Sequence, residues 1–190
     1  TQGHVTYSFN SLGFRSVEPA DNSLVIIGNS LSFGVGVSLD QTFGSIVSKH
    51  IGRNLDNKSF GCFGHENHEH LSNIEIMAEQ NQDLMFVIQI NNLDRRKHND
   101  KVVTKNDAQW CINRFLQYFE QVEDLLRHRP HCYLYWDDQQ YSLPDSITKK
   151  ILIRNRFHLD RSLSNNPSTF GPKSHLAIAK CLLFYLTQLR

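Results

Sequence analysis

The sequence has little of what marks several specialised classes of protein. No apolar run approaches the roughly 20 residues of a membrane-spanning helix, and the longest candidates are only 84–88 and 181–186. The 20 basic and 19 acidic residues almost cancel, which leaves a net charge of +1. Charge therefore gives no argument for a nucleic acid or an anionic membrane as the partner, and we expect neither.

Cysteine is also scarce, and its spacing excludes two common uses. The four cysteines are far apart and form no Cys-x-x-Cys pair; they are Cys62, Cys111, Cys132 and Cys181. Most of them lie among apolar residues, which favours buried, reduced thiols over a disulfide framework. The sequence also shows no secretory signal pattern. We therefore expect a soluble protein of a reducing compartment, the cytoplasm.

Apolar segments with strand and helix periodicity alternate along the chain. Strands are predicted near 25–27 and at 58–63, 84–90, 132–136 and 151–153, and helices at 43–51, 70–80, 107–129 and 175–189. This alternation is typical of a parallel sheet covered by helices on both faces. We predict an α/β fold, a three-layer α/β/α sandwich with a flavodoxin-like parallel sheet of about five strands. At 190 residues the chain is expected to be a single domain, 1–190.

The strand near 25–27 ends in a sequence that favours a reactive serine. Gly28, Asn29 and Ser30 follow the apolar run directly. Glycine permits a sharp exit from the strand, which would leave the Ser30 hydroxyl at the carboxyl end of the sheet, where α/β proteins bind their ligands. The alternative is a serine that only caps the following helix.

Residues 28–37, Gly-Asn-Ser-Leu-Ser-Phe-Gly-Val-Gly-Val, resemble the nucleophile block of the SGNH, or GDSL-type, hydrolases. Family members usually carry Asp where this chain has Asn29. The resemblance implies a serine esterase or acyltransferase that acts on a small acyl ester, such as an acetylated carbohydrate, with Ser30 as the nucleophile. It implies no cofactor.

The segment before the first strand is similar to a leader found in bacterial and phage SGNH-like proteins. Residues 10–15 read Asn-Ser-Leu-Gly-Phe-Arg. We expect residues 1–22 to form an N-terminal leader that packs on the sheet. The alternative is an edge hairpin that merely covers it.

The resemblance also implies which residues stabilise the oxyanion. SGNH enzymes use a glycine from their second block and an asparagine from their third, besides the N–H of the nucleophile. The corresponding residues here are Gly64, with Gly61 as the alternative, and Asn92, with Asn91 as the alternative. An Asn pair at a strand end also forms turns readily, so a turn is the competing interpretation of 91–92.

The last block of the family supplies the catalytic base, and here this chain departs from the pattern. The family carries Asp-x-x-His-Pro before the final helix, whereas alignment of this chain places Asn166 or Thr169 at the histidine. Neither side chain is a general base near neutral pH. His175, in the first turn of the predicted last helix, is the nearest substitute.

Other histidines are weaker candidates for the base. His158, two residues before Asp160, lies upstream of the loop that normally delivers the base, and His65 follows Gly64. The run 65–70 holds three histidines and two glutamates, but its spacing matches no established zinc pattern, so no metal is expected.

Three functions fit these observations. The first is an SGNH-type esterase or acyltransferase whose base has moved to His175. The second is a degenerate SGNH fold, a pseudoenzyme that binds a ligand or a partner. The third is an unrelated flavodoxin-like binding domain, which the absence of a phosphate-binding loop disfavours.

Overall fold

The computed structural model describes residues 4–59, 70–80, 82–90, 97–98, 101–102, 108–135 and 170–186. Strands and helices alternate along these ranges. The strands are β1 (Asn22–Ile27), β2 (Asn54–Asn57), β3 (Asp83–Ile90), β4 (Lys97–His98), β5 (Lys101–Val102) and β6 (His131–Tyr135). The helices are α1 (Ser30–Phe33), α2 (Phe43–Ile51), α3 (Leu71–Ala78), α4 (Ala108–Leu125) and α5 (Pro172–Leu186), and a 3-10 turn spans Leu39–Gln41.

Four of the strands form one parallel sheet in the order β2-β1-β3-β6. Ile27 lies opposite Ile88 where β1 pairs with β3, and Phe86 lies opposite His131 where β3 pairs with β6. The short strands β4 and β5 form a separate antiparallel pair. The parallel sheet confirms the predicted fold class; the strand predicted at 151–153 lies outside the described residues.

Alternating side chains of the sheet build two hydrophobic cores, one on each face. On one face Val25 and Ile27 of β1 pack with residues of α3 and α4. On the other face Leu24 and Ile26 pack with residues of α2 and α5. A strand covered on both faces is apolar throughout, which is why β1 and β3 are nearly continuous hydrophobic runs. The result is three layers, helix, sheet and helix.

The helices follow the predicted pattern closely. Helix α2 has the predicted bounds, and α5 begins at Pro172, three residues before the predicted start. Helix α4 places Phe115, Phe119 and Val122 in the core at helical spacing. In the described ranges, no helix is both long enough and apolar enough to cross a membrane.

The predicted second strand was misplaced. We predicted 58–63, but β2 spans Asn54–Asn57, and Lys58 and Ser59 already follow it; residues 60–63 lie outside the described part of the chain. Only Leu55 of β2 is apolar. The strand forms because its backbone pairs with β1, while Asp56 and Asn57 make polar contacts, so an apolar pattern could not reveal it.

The strand order determines where a crevice can form. The chain passes from β1 to β2 on one side, and β3 lies on the other side of β1. Such a reversal separates the connections that leave the carboxyl ends of neighbouring strands, and α/β proteins bind ligands there. The turn after β1 lies at this position.

Candidate active site

The turn after β1 places Ser30 at the first position of α1, at the carboxyl end of the sheet. Ser30 is 8% exposed. The N–H of Phe33 donates to the carbonyl of Asn29 (2.8 Å), and the N–H of Val35 donates to the carbonyl of Ser30 (3.0 Å). Within the described part of the chain, the Ser30 hydroxyl and the N–H groups of Ser30 and Leu31 form no hydrogen bond. These groups can therefore bind a ligand oxygen.

Gln89 of β3 holds this turn from the neighbouring strand. Its Oε1 accepts hydrogen bonds from the Ser32 hydroxyl (2.7 Å) and from the Ser32 N–H (3.1 Å), and its Nε2 donates to Asn29 Oδ1 (2.5 Å). The contact requires a glycine at position 28, because a Cβ there would lie 2.6 Å from both Gln89 Cβ and Ser32 Oγ. Gln89 thus fixes the residues on either side of Ser30.

Asn57, the last residue of β2, holds the same turn from the other side. Its Nδ2 donates to the carbonyl of Ser32 (3.0 Å), and its Oδ1 accepts from the N–H of Ser59 (3.0 Å). Sequence reasoning missed both Asn57 and Gln89. For Gln89 the sequence did carry a signal, because this polar residue interrupts an otherwise apolar run of seven residues, 84–90, near the carboxyl end of the strand.

The N-terminal leader contributes a buried arginine to this region. Arg15 is 1% exposed, and its guanidinium donates to the carbonyls of Phe33 (2.8 Å), Gly34 (2.6 Å) and Val37 (2.5 Å). Its Cζ lies 4.4 Å from the centre of the Tyr7 ring. Burial lowers the pKa of Arg15 from its usual value, and the interaction with Tyr7 opposes that shift.

Other leader residues contact β2. The Ser16 hydroxyl donates to the carbonyl of Leu55 (2.6 Å) and accepts from the N–H of Asn57 (3.0 Å). Phe14 lies beneath the ammonium of Lys58, 4.3 Å from Nζ to the ring centre. The leader residues 14–16 therefore lie against the same strand end that holds the Ser30 turn.

His175 lies in the first turn of α5, and it is 1% exposed. Its Nδ1 accepts a hydrogen bond from the N–H of Phe43 (3.2 Å), at the start of α2, and the two rings stack with centroids 5.9 Å apart. A neutral ring in this arrangement carries its proton on Nε2, so the Nδ1 lone pair is already engaged. The contact indicates a role in joining α2 to α5, and the role of His175 as the base stays a prediction.

The remaining predicted site residues lie outside the described part of the chain. They are the oxyanion candidates Gly64 and Asn92, their alternatives Gly61 and Asn91, the loop positions Asn166 and Thr169, and the candidates His65, His158 and Asp160. Of the histidine-rich run 65–70 only His70 is described, buried at the start of α3.

Replacing His175 distinguishes a structural role, in which it joins α2 to α5, from a role as the catalytic base. We expect His175→Ala to lower the free energy of unfolding by about 1–2 kcal/mol, because the Phe43 N–H loses its acceptor, and to leave the reactivity of Ser30 in the folded protein unchanged. Urea unfolding and fluorophosphonate labelling measure the two effects. The matched control is His50→Ala, an exposed histidine of α2. Loss of labelling at unchanged stability would instead establish His175 as the base.

Comparison with solved protein structures supports the fold described above. No protein-family model matches the sequence, and no curated protein matches it significantly. Several solved structures match with high probability. An acetyl xylan esterase (Est2A) from the rumen bacterium Butyrivibrio proteoclasticus is 16% identical with a TM-score of 0.57, over 90% of this chain and 65% of that protein.

Two further structures match over almost their whole length. The psychrotrophic esterase EstA from Pseudoalteromonas sp., inhibited by monoethylphosphonate, is 14% identical with a TM-score of 0.55, over 89% of this chain and 98% of EstA. A member of the lipolytic protein G-D-S-L family from Veillonella parvula DSM 2008 is 10% identical with a TM-score of 0.54, over 87% of this chain and 98% of that protein. The chain has the SGNH-hydrolase fold. The SGNH fold confirms the resemblance seen in residues 28–37.

Proposed function

We propose that this protein is a serine esterase or acyltransferase of SGNH type, with Ser30 as the nucleophile. One observation carries the proposal. Ser30 begins a helical turn at the carboxyl end of an inner parallel strand, and residues from two neighbouring strands, Gln89 and Asn57, hold that turn. A nucleophile held on a rigid support is what acyl transfer needs. The esterase structures with the same fold support this assignment.

The proposed reaction has two steps. Ser30 Oγ attacks the acyl carbonyl and transfers its proton to a base, and the oxygen that becomes negative accepts a hydrogen bond from the Ser30 N–H. Gly64 and Asn92 are the proposed further donors. The bond to the leaving alcohol then breaks, the alcohol takes up the proton, and an acyl-Ser30 ester remains. Water attacks this ester in an esterase, and an acceptor hydroxyl attacks it in an acyltransferase. The bond between the acyl carbon and Ser30 Oγ then breaks, Oγ takes back a proton from the attacking group through the base, and the carboxylic acid or the new ester leaves. His175 stays the residue that the sequence predicts as the base, and fluorophosphonate labelling of His175→Ala tests that prediction.

A small acyl ester is the proposed substrate, with an acetylated carbohydrate as the first choice. The support is the name of Est2A, an acetyl xylan esterase with the same fold. Residues 1–190 are proposed to act as one domain, in which the leader completes the surroundings of the nucleophile. No cofactor takes part in the proposed reaction.

Labelling with a fluorophosphonate tests the proposal directly. We expect intact mass to show one added phosphonyl group per chain, peptide mapping to place it on Ser30, and p-nitrophenyl acetate and acetylated xylo-oligosaccharides to be hydrolysed. A folded protein that is neither labelled nor active on these esters would overturn the proposal and favour the degenerate binding module.

A further inference from the structure

Among the residues that the structure describes, the partners of the buried Arg15 guanidinium are neutral. Within the described residues no carboxylate forms an ion pair with it. Its hydrogen-bond acceptors are three backbone carbonyls, and the rings of Tyr7 and Phe33 lie 4.4 and 5.3 Å from its Cζ. A buried cation is costly unless it is well hydrogen-bonded, and backbone carbonyls on a loop offer that only if the loop keeps one conformation. The arrangement therefore couples the burial of Arg15 to the conformation of one segment.

That segment is the end of the turn that begins with Ser30. The carbonyls of Phe33 and Gly34 terminate α1, and the N–H of Gly34 donates back to the carbonyl of Ser30 (3.0 Å). Arg15 is thus two hydrogen bonds away from the nucleophile's own backbone.

The segment needs an external support because its own backbone is permissive. Gly34 and Gly36 both have positive φ, 80° and 81°. Glycine populates many conformations at low cost, so the loop is not fixed by its sequence. Arg15 holds the carbonyls on both sides of Gly36, and the Tyr7 hydroxyl accepts from the Gly36 N–H (2.7 Å).

We infer that Arg15 is a positioning residue for the nucleophile, which holds the Ser30 turn in its reactive geometry by clamping the carbonyls of Phe33, Gly34 and Val37. The inference rests on the proposed function of Ser30. It makes the N-terminal leader a working part of the active site, since the leader carries both Arg15 and Tyr7.

The test compares Arg15→Met with Arg53→Met. Arg53 is a matched control, because it also anchors a carbonyl and a side chain, those of Asp83, but at the amino end of β3, opposite the Ser30 edge. Two quantities are measured in the folded proteins, namely the rate of fluorophosphonate labelling and the hydrogen exchange of peptides covering 30–37. We expect Arg15→Met to lower the labelling rate and kcat about 100-fold with KM little changed, and to speed exchange in 30–37. Arg53→Met is expected to change neither.

Two milder variants keep the test decisive if Arg15→Met does not fold. Arg15→Lys retains the charge but lacks the planar fork that reaches three carbonyls, so it should recover only part of the lost rate. Tyr7→Phe keeps the ring and removes only the acceptor for the Gly36 N–H, and we expect faster exchange at 34–37 with a smaller loss of labelling.

The outcomes separate this inference from the proposed function. If wild-type protein is not labelled at all, the proposed function fails, and exchange in 30–37 still decides whether Arg15 holds the turn. If wild-type protein is labelled and folded Arg15→Met is labelled at the same rate with unchanged exchange in 30–37, Arg15 does not position Ser30 and the inference is wrong.

Discussion

Ser30→Ala is expected to abolish fluorophosphonate labelling and to lower kcat for ester hydrolysis on the order of 10⁶-fold, as removal of a catalytic serine does when the remaining groups act as a unit with it. The melting temperature should change little, because the Ser30 hydroxyl forms no hydrogen bond within the described residues. Intact mass, ester hydrolysis and thermal unfolding check the three parts of this expectation.

Ser48→Ala is the matched control for Ser30→Ala. Ser48 is also a buried serine on a helix that packs against the sheet, and its hydroxyl donates to the carbonyl of Ser45 (3.1 Å). We expect wild-type labelling and activity for this variant. If Ser30→Ala kept full labelling, another residue would be the nucleophile and the proposed reaction would be wrong.

Gly34→Ala is expected to cause a large loss of stability. The residue has φ 80°, which costs about 1–2 kcal/mol for a residue with a Cβ. A Cβ there would also overlap Thr42 Cγ2 and lie 3.0 Å from Arg15 Nη1, and such overpacking costs about 1–3 kcal/mol more. We therefore expect the free energy of unfolding to fall by about 2–5 kcal/mol, measured by urea unfolding.

Gly13→Ala is the control for Gly34→Ala, because the difference between the two variants gives the steric part of the loss. Gly13 has almost the same φ, 79°, but a Cβ there would meet nothing within 4 Å. It should lose only the conformational part, about 1–2 kcal/mol. Equal losses in the two variants would show that the space around Gly34 does not matter, which would contradict the close packing of Arg15 and Thr42 on this loop.

The sequence predicted the elements whose signal lies in consecutive residues. The apolar runs of β1 and β3 indicated strands that are buried on both faces, and the helical spacing in α4 indicated an amphipathic helix. Burial leaves these signals because it decides which consecutive or regularly spaced side chains must be apolar. The turn Gly28-Asn29-Ser30 was predictable for the same reason, since the strand, its exit and the serine follow one another. Strand β2 was not, because backbone pairing with β1 stabilises it rather than an apolar face.

The residues that hold the Ser30 turn could not be found in this way. Gln89 bonds to Ser32 across 57 positions of sequence, Asn57 to Ser32 across 25, and Arg15 to Gly34 across 19. No periodicity links such pairs, because a side-chain hydrogen bond leaves no regular spacing in the chain. Their partners are set by the strand order β2-β1-β3, which brings the carboxyl ends of three separate strands together.

The sequence by itself thus predicted the fold class and the Ser30 turn, since both depend on local patterns of burial and on one glycine exit. Only the tertiary structure decided which side chains surround that serine. It placed the leader's Arg15 on the Ser30 turn, and it seated His175 against Phe43 at the start of α2. The physical reason is that directional polar contacts depend on which backbone segments meet in space, whereas hydrophobic burial depends mainly on which face of an element turns inward.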